Sequence, residues 1–345
     1  MKTFPLAFSL LTLSLQISAA SPRGGAIVGW GINALYGCDG VSLWQSTNGV
    51  VTFAGHILTN AVAISPVSGR SLALLSDGTV FGWGNNTAGW VTGLYSGTEI
   101  TNGFVRISGN VLSNIVAITA GRLALKNDGT VIGWGLTNNN IVIPVGLSNI
   151  VEINGSLALK ADGTAVAWGK GIHGEKFAVP AGLSNVVAVA TAFHEFFALK
   201  EDGVVVEWDV SRPEETVHTT AGLSNVVSIA SGAFHHLALK KDGTVFGWGE
   251  NGSGEATGVA TSDPPYFSSG LVTIGGQVLT NVVAIAANTT SMALKSDGKI
   301  VTWGFSPYHS MDAPAGLSNV VAIAAGDTYC LAITTNLDVA EKFRH

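Results

Sequence analysis

Two adjacent histidines, His235 and His236, stand in the stretch "VVSIASGAFHHLALKKDGTVFGWG" (226–249), and a third, His194, stands beside Glu195 in "TAFHEFFAL". Imidazole and carboxylate side chains move protons and bind metal ions. Successive side chains on a strand point to opposite faces, so His235 and His236 do not close on one ion. The default reading of these histidines is surface or turn. Glu195, Glu201 and Glu207 alternate along one hairpin and read as solvent-facing carboxylates rather than an acid/base pair. No HExxH, no cysteine pair at zinc spacing and no GxSxG in context is found. The expectation is a protein with no catalytic residues, no metal and no cofactor. Its two cysteines, Cys38 and Cys330, form a disulfide or remain separate buried thiols.

The histidines belong to a repeat. Copies start at Leu58, Leu112, Leu147, Leu183, Leu223 and Leu279, as in "LSNIVAITAGRLALKNDGTVIGWG". A last copy, "LSNVVAIAAGDTYCLAITTN" from Leu317, stops before any Trp-Gly. Each copy reads as an antiparallel meander: "VVAIA", then "LALK", an Asp-Gly hairpin signal, and a strand such as "TVFGWG". The Asp-Gly pairs begin at Asp77, Asp128, Asp162, Asp202, Asp242 and Asp297.

One such sheet leaves both faces bare, and copies set radially cover one another. The segment "GGAIVGWG" (24–31) supplies the terminal strand that the last copy lacks. Six complete copies and one split copy predict an all-β, seven-bladed propeller closed by the N-terminal strand. Trp30, Trp83, Trp134, Trp168, Trp208, Trp248 and Trp303 are then periodic core residues, each expected to pack on its own hairpin and the next blade. Trp44 and Trp90 fall outside the repeat and are candidates for surface contact.

Charged residues make up only 12% of the chain, its net charge is −6, and there are 44 glycines. Without a Lys/Arg stripe, a nucleic-acid partner is not expected. Residues 1–20 read as a signal peptide, with Lys2 ahead of an apolar run and "SAA" before Ser21; residues 21–345 form a single propeller. No other apolar run reaches spanning length, so a secreted or periplasmic monomer is expected, with no membrane span.

Long linkers carrying "VVTFAGHILTN", "FVRISGNVLSN" and "LVTIGGQVLTN" predict extra hairpins, with glycine at the first position of a type II′ turn. The loops "NNTAGWVTGLYSGTEITNG" and "ENGSGEATGVATSDPPYFSSG" are expected to project from the ring. N-x-S/T sequons begin at Asn85, Asn154, Asn251 and Asn288.

The pattern "VVAIAAG…LALKxDGTVxxWG" resembles the regulator of chromosome condensation repeat family over nearly all of the mature chain. The resemblance implies a seven-bladed propeller. In context it is also similar to the secreted type II β-lactamase inhibitory proteins, whose repeats join Trp-Gly to a Val-Pro linker as in "WGKGIHGEKFAVPAGLSN". Those proteins grip their target with aromatic residues in the turn before "LAL". By position this implies partner contacts at Phe234, His235 and Tyr329, with His194 and Glu195 matching in the preceding copy. The functional expectation is a secreted, non-enzymatic scaffold that binds an unknown protein through loops on one ring face. The alternatives are a guanine nucleotide exchange factor for a small GTPase, as the resemblance implies, or an enzyme with a site in the central channel.

Overall fold

The computed structural model describes residues 24–32, 46–67, 69–94, 100–119, 123–135, 143–170, 176–210, 217–220, 223–306 and 311–344. The expected signal peptide, Cys38 and Trp44 lie outside the described residues. Each repeat folds into one antiparallel sheet, and the sheets are arranged as a seven-bladed propeller. Blades 1 to 6 begin at residues 61, 115, 150, 186, 226 and 282. Blade 7 is composite: Val320–Ala325 pairs with Tyr329–Thr334, that strand pairs with Ala26–Ile32, and this one pairs in turn with Ser46–Val50.

Local chemistry explains the blade. In the "SN" or "TN" ahead of the first strand, the Asn residues at 114, 149, 185, 225, 281 and 319 adopt positive φ, which Asn tolerates better than most residues. The chain then enters the first strand. In all seven blades the pairing of first and second strands shifts register around the second strand residue, a valine at positions 62, 116, 151, 187, 227, 283 and 321. The bulge turns that valine out of the blade; Val116, Val151, Val187 and Val283 are exposed.

The Asp-Gly turns are not two-residue turns. At the first, Gly78 N–H donates to Leu75 O and Leu75 N–H to Thr79 O, and only Gly78 has positive φ. A single left-handed glycine after a right-handed turn gives the hairpin with a glycine bulge. Asp77 Oδ1 accepts from the Thr79 amide at 2.9 Å and the Thr79 hydroxyl at 2.6 Å, holding its carboxyl below the usual range. The turn carbonyl then joins the blades: Ile115, Ile150, Val186, Val282 and Val320 donate their amides to Gly78, Gly129, Gly163, Gly243 and Gly298 of the preceding blade.

First strands of neighbouring blades run side by side at all seven junctions, so they line the axis. Each junction is filled by its own apolar cluster. Every repeat tryptophan is buried, but against the preceding blade rather than the next one as expected: Trp83 joins blade 7, Trp134 blade 1, Trp208 blade 3 and Trp303 blade 5. The reason is the face on which the third-strand tryptophan stands. Its indole reaches back to the linker that has just left the previous blade.

Three small hairpins follow the long linkers, Thr52–Phe53 with His56–Ile57, Arg106–Ile107 with Asn110–Val111, and Thr273–Ile274 with Gln277–Val278. Their turn residues are Ala54-Gly55, Ser108-Gly109 and Gly275-Gly276, all at positive φ. The turns are therefore type I′, with glycine second, not the expected type II′. Among the described residues no helix is long and apolar enough to cross a membrane.

Candidate functional site: the ring face and cleft of blades 4 and 5

The strand register decides which residues share a ring face. Glu195 pairs with Asp209 and His235 with Gly249, so the turn before each "LAL" strand lies at the same end as Trp-Gly. The Asp-Gly turns lie at the opposite end. At the first end, Phe193 of blade 4 and Phe234 of blade 5 stand 6.3 Å apart between ring centroids, and they are 70% and 57% exposed. His194, also exposed, lies edge-on to Phe193 at 4.3 Å.

The two adjacent histidines serve two different junctions. His235 faces forward: its Nε2 lies 2.8 Å from Ser291 Oγ of blade 6. Ser291 donates its single hydroxyl proton to Glu255 O at 2.8 Å, so the imidazole must donate through Nε2. Burial, with His236 adding to it, lowers the His235 pKa to about 3. His236 faces back: its Nε2 is 3.3 Å from Glu195 Oε2 of blade 4, and its ring packs on Phe197 at 4.4 Å and Trp248 at 5.4 Å. Tyr329 repeats the His235 geometry at the junction of blades 7 and 1. It donates to Arg70 O at 2.6 Å and pairs with Ser71 Oγ at 2.9 Å.

Burial therefore removes two expected partner contacts. Tyr329 and His235 are interior clasps between blades, and His236 is buried rather than at a surface turn. Trp90 is half-buried, with the Arg70 guanidinium 4.4 Å above its ring, and its carbonyl accepts from Trp134 Nε1. It is part of the junction between blades 1 and 2. Cys330 is wholly buried, and burial pushes its thiol pKa well up. Phe234, His194 and Glu195 remain reachable. Phe193 was passed over because it stands one position ahead of the residues that repeat alignment selects.

The first parts of the expected projecting loops, residues 86–94 and 251–261, fold back, while 262–267 of the second are exposed. Asn86 and Asn251, both fully buried, each collect a loop around one amide group. Asn86 Oδ1 accepts from the Val91 amide, and Asn251 Oδ1 from those of Ala256 and Thr257. The Asn251 amide donates to Val259 O and the hydroxyls of Thr257 and Thr261. Each loop presses on the residue before the blade's tryptophan: a Cβ on Gly82 would stand 2.4 Å from Val91 O, and on Gly247 1.8 Å from Ala256 O. The loop or linker then gives a carbonyl to the next tryptophan indole. Trp134, Trp208, Trp303 and Trp30 donate to Trp90, Ala178, Glu255 and Met311.

The junction of blades 4 and 5 departs from this rule. Trp248 Nε1 donates to a side chain, Glu207 Oε2, at 3.2 Å. The linker end instead forms a short fourth strand, His218–Thr219, paired with Val206 and Glu207. A cleft of about 560 Å³ opens there, lined by Glu207, His218, Trp248 and Phe267 together with hydroxyls of Thr219 and Ser269. Glu207 is half-buried, not solvent-facing as the alternation suggested, because its side chain fills the position against which a linker packs elsewhere. Burial raises its pKa, with Glu195 adding to the rise, while His236 and the Trp248 bond oppose it. The sequence carries a signal for this site. The residue before the tryptophan is Gly29, Gly82, Gly133, Ala167, Gly247 or Thr302 in six blades, and Glu207 in the seventh.

A ring of seven meander blades, each sealed by a tryptophan that reaches back to its neighbour, is a seven-bladed β-propeller. The family model described as the Regulator of chromosome condensation (RCC1) repeat matches residues 62–89 and 226–255, in blades 1 and 5. Among solved structures, the chain is similar to yeast RCC1 (Prp20) bound to Kap60, with a TM-score of 0.68 at 18% identity over 99% of this chain and 98% of that one. A structure of Prp20p from Saccharomyces cerevisiae, described with its binding to Gsp1p and histones, gives 0.68 at 18% over 92% and 94%. Human WBSCR16 gives 0.61 at 15% over 90% and 100%. At these identities the likeness is one of fold.

Proposed function

We propose that this protein is an exported, non-enzymatic binding scaffold that engages a protein partner through the ring face of blades 4 and 5. The observation that carries this reading is the pair Phe193 and Phe234. Two large aromatic side chains from neighbouring blades stand together in solvent, on turns held rigid by the clasps of Glu195, His235 and His236. Exposed aromatics on a rigid frame are the residues that dominate protein interfaces, because little conformational entropy is lost when they are covered. The periodic residues are otherwise absorbed by blade packing. Cleavage after Ala20, with export across the membrane, belongs to the same proposal.

The test compares the mature protein with a Phe193→Ser/Phe234→Ser variant as bait in the native extracellular medium. The wild type is expected to retain a partner that the variant loses, with unchanged thermal midpoint in the variant. Equal capture by both proteins would remove the ring face from the mechanism. N-terminal sequencing of the exported protein is expected to begin at Ser21.

A further inference from the structure

The cleft between blades 4 and 5 arises from one exchange in the repeat. In blades 1 and 5 a loop lies against the glycine before tryptophan, and backbone carbonyls cap the indoles of Trp134, Trp208, Trp303 and Trp30. Here the Glu207 carboxylate caps the indole, and His218–Thr219 pairs beside it as a fourth strand.

We propose that this cleft receives one cationic side chain, a lysine or arginine presented by the protein partner, between the Glu207 carboxylate and the Phe267 ring. The inference rests on the ring-face reading and names what that face recognises. Among the described lining residues Glu207 is the only carboxylate, and there is no Lys or Arg. Its neighbours are a second carboxylate, Glu195, and two histidines, His236 and His218. Glu207 lines the site with Glu195 beside it and no Lys or Arg among the described lining residues, so an incoming ammonium or guanidinium meets a favourable potential. Phe267, 62% exposed, lines the cleft beside the buried Trp248 and offers an aromatic ring to the cation. The hydroxyls of Thr219 and Ser269 accept its remaining N–H groups. Phe193 and Phe234 lie on the same ring face and supply the apolar contact around such an anchor.

The experiment titrates the mature full-length protein with a short capped peptide, acetyl-Ala-Arg-Ala-amide, and with its neutral isostere containing citrulline. The Trp248 indole resonance reports occupancy. The arginine peptide is expected to shift it, the citrulline peptide to bind about tenfold more weakly or worse, and Glu207→Gln to abolish the difference. Equal binding of the two peptides, an unaltered Glu207→Gln variant, or preferential binding of a neutral disaccharide overturns the proposal. Partner capture separates this from the wider reading. Capture lost in Phe193→Ser/Phe234→Ser but retained in Glu207→Gln overturns the cleft proposal alone. Capture that neither variant alters overturns the ring-face reading and, with it, the assignment of the cation to the partner, whatever the cleft does with the free peptide.

Discussion

Trp30 stands directly opposite Cys330, across the two strands that join the ends of the chain. Both are fully buried, and they share one cluster with Ala284, Met292 and Leu294 of blade 6. Gly25 pairs with Ala61 of blade 1, exchanging both backbone bonds at 2.9 and 3.1 Å. The N-terminal strand thus completes blade 7 and holds blade 1 at the same time.

Trp30→Ala is expected to cost about 3–5 kcal/mol, because the indole leaves a cavity at the seam and Met311 O loses its donor. Cys330 reports the same event. In the native protein its thiol is expected to resist a charged aromatic disulfide reagent until global unfolding. In the variant it should react at denaturant concentrations well below the midpoint. Equal protection in both proteins would place the seam elsewhere.

His235 and His236 are neighbours that answer to different blades, and their pH behaviour separates them. The folded-state pKa of His235 is about 3, below the ordinary 6.5. Between these values the unfolded chain binds the proton and the folded one does not. Stability is therefore full above pH 6.5 and falls as the pH drops towards 3, by roughly 3 kcal/mol at pH 4. His235→Gln is expected to flatten the acid limb of the stability profile. An acid limb identical to wild type would show that the imidazole is not held neutral.

The sequence made the ring legible because a strand periodicity, an Asp-Gly turn and a tryptophan recur in register, and each repeat needs a neighbour to cover it. Where the pattern of one copy suffices, as for the closing strand at 24–31, prediction and structure agree. What one copy does not encode was missed. The face that a tryptophan covers depends on the sheet twist and on the linker, so the indoles reach back rather than forward. Tyr329 and His235 match surface positions by alignment, yet each bonds a serine on the next blade, Ser71 and Ser291. Glu207 alternates like a surface carboxylate, and only comparison with the small residues before the other six tryptophans marks it as different.

Gly247 is fixed by proximity rather than by φ. A methyl group there would stand 1.8 Å from Ala256 O. Gly247→Ala is expected to displace the loop built on Asn251 and cost about 1–3 kcal/mol. Trp303 Nε1 bonds Glu255 O, next to that contact, so its indole resonance should move as well. A thermal midpoint and Trp303 signal unchanged by the substitution would contradict the loop's seat.

Two of the four sequons are closed by the fold. Asn154 donates to Val189 O and accepts from Thr191, and Asn251 organises its loop from a fully buried position. Expressed in a glycosylating secretory host, the folded protein is expected to carry no glycan on either. Mass spectrometry of tryptic peptides checks this, and a glycan at Asn251 would be incompatible with the packed loop.

Glu207 gives the opposite pH sign to His235. Its folded pKa is raised above the ordinary value, by burial first and by Glu195 second. Above that raised pKa the ionised carboxylate is held in the cleft at a cost that the unfolded chain does not bear, so stability falls as pH rises through the window that begins at 4.5. Glu207→Gln keeps an acceptor for Trp248 Nε1 and removes the charge. Its thermal midpoint is expected to exceed wild type at pH 7 and to converge with it as the pH falls well below 4.5, where Glu207 is protonated in both states. The substitution also relieves Glu195 of like-charge repulsion, so the gain at pH 7 should shrink when Glu195→Gln is made first. A cation in the cleft relieves the same repulsion in the unmodified protein, and the wild type should therefore gain stability from the arginine peptide where Glu207→Gln does not.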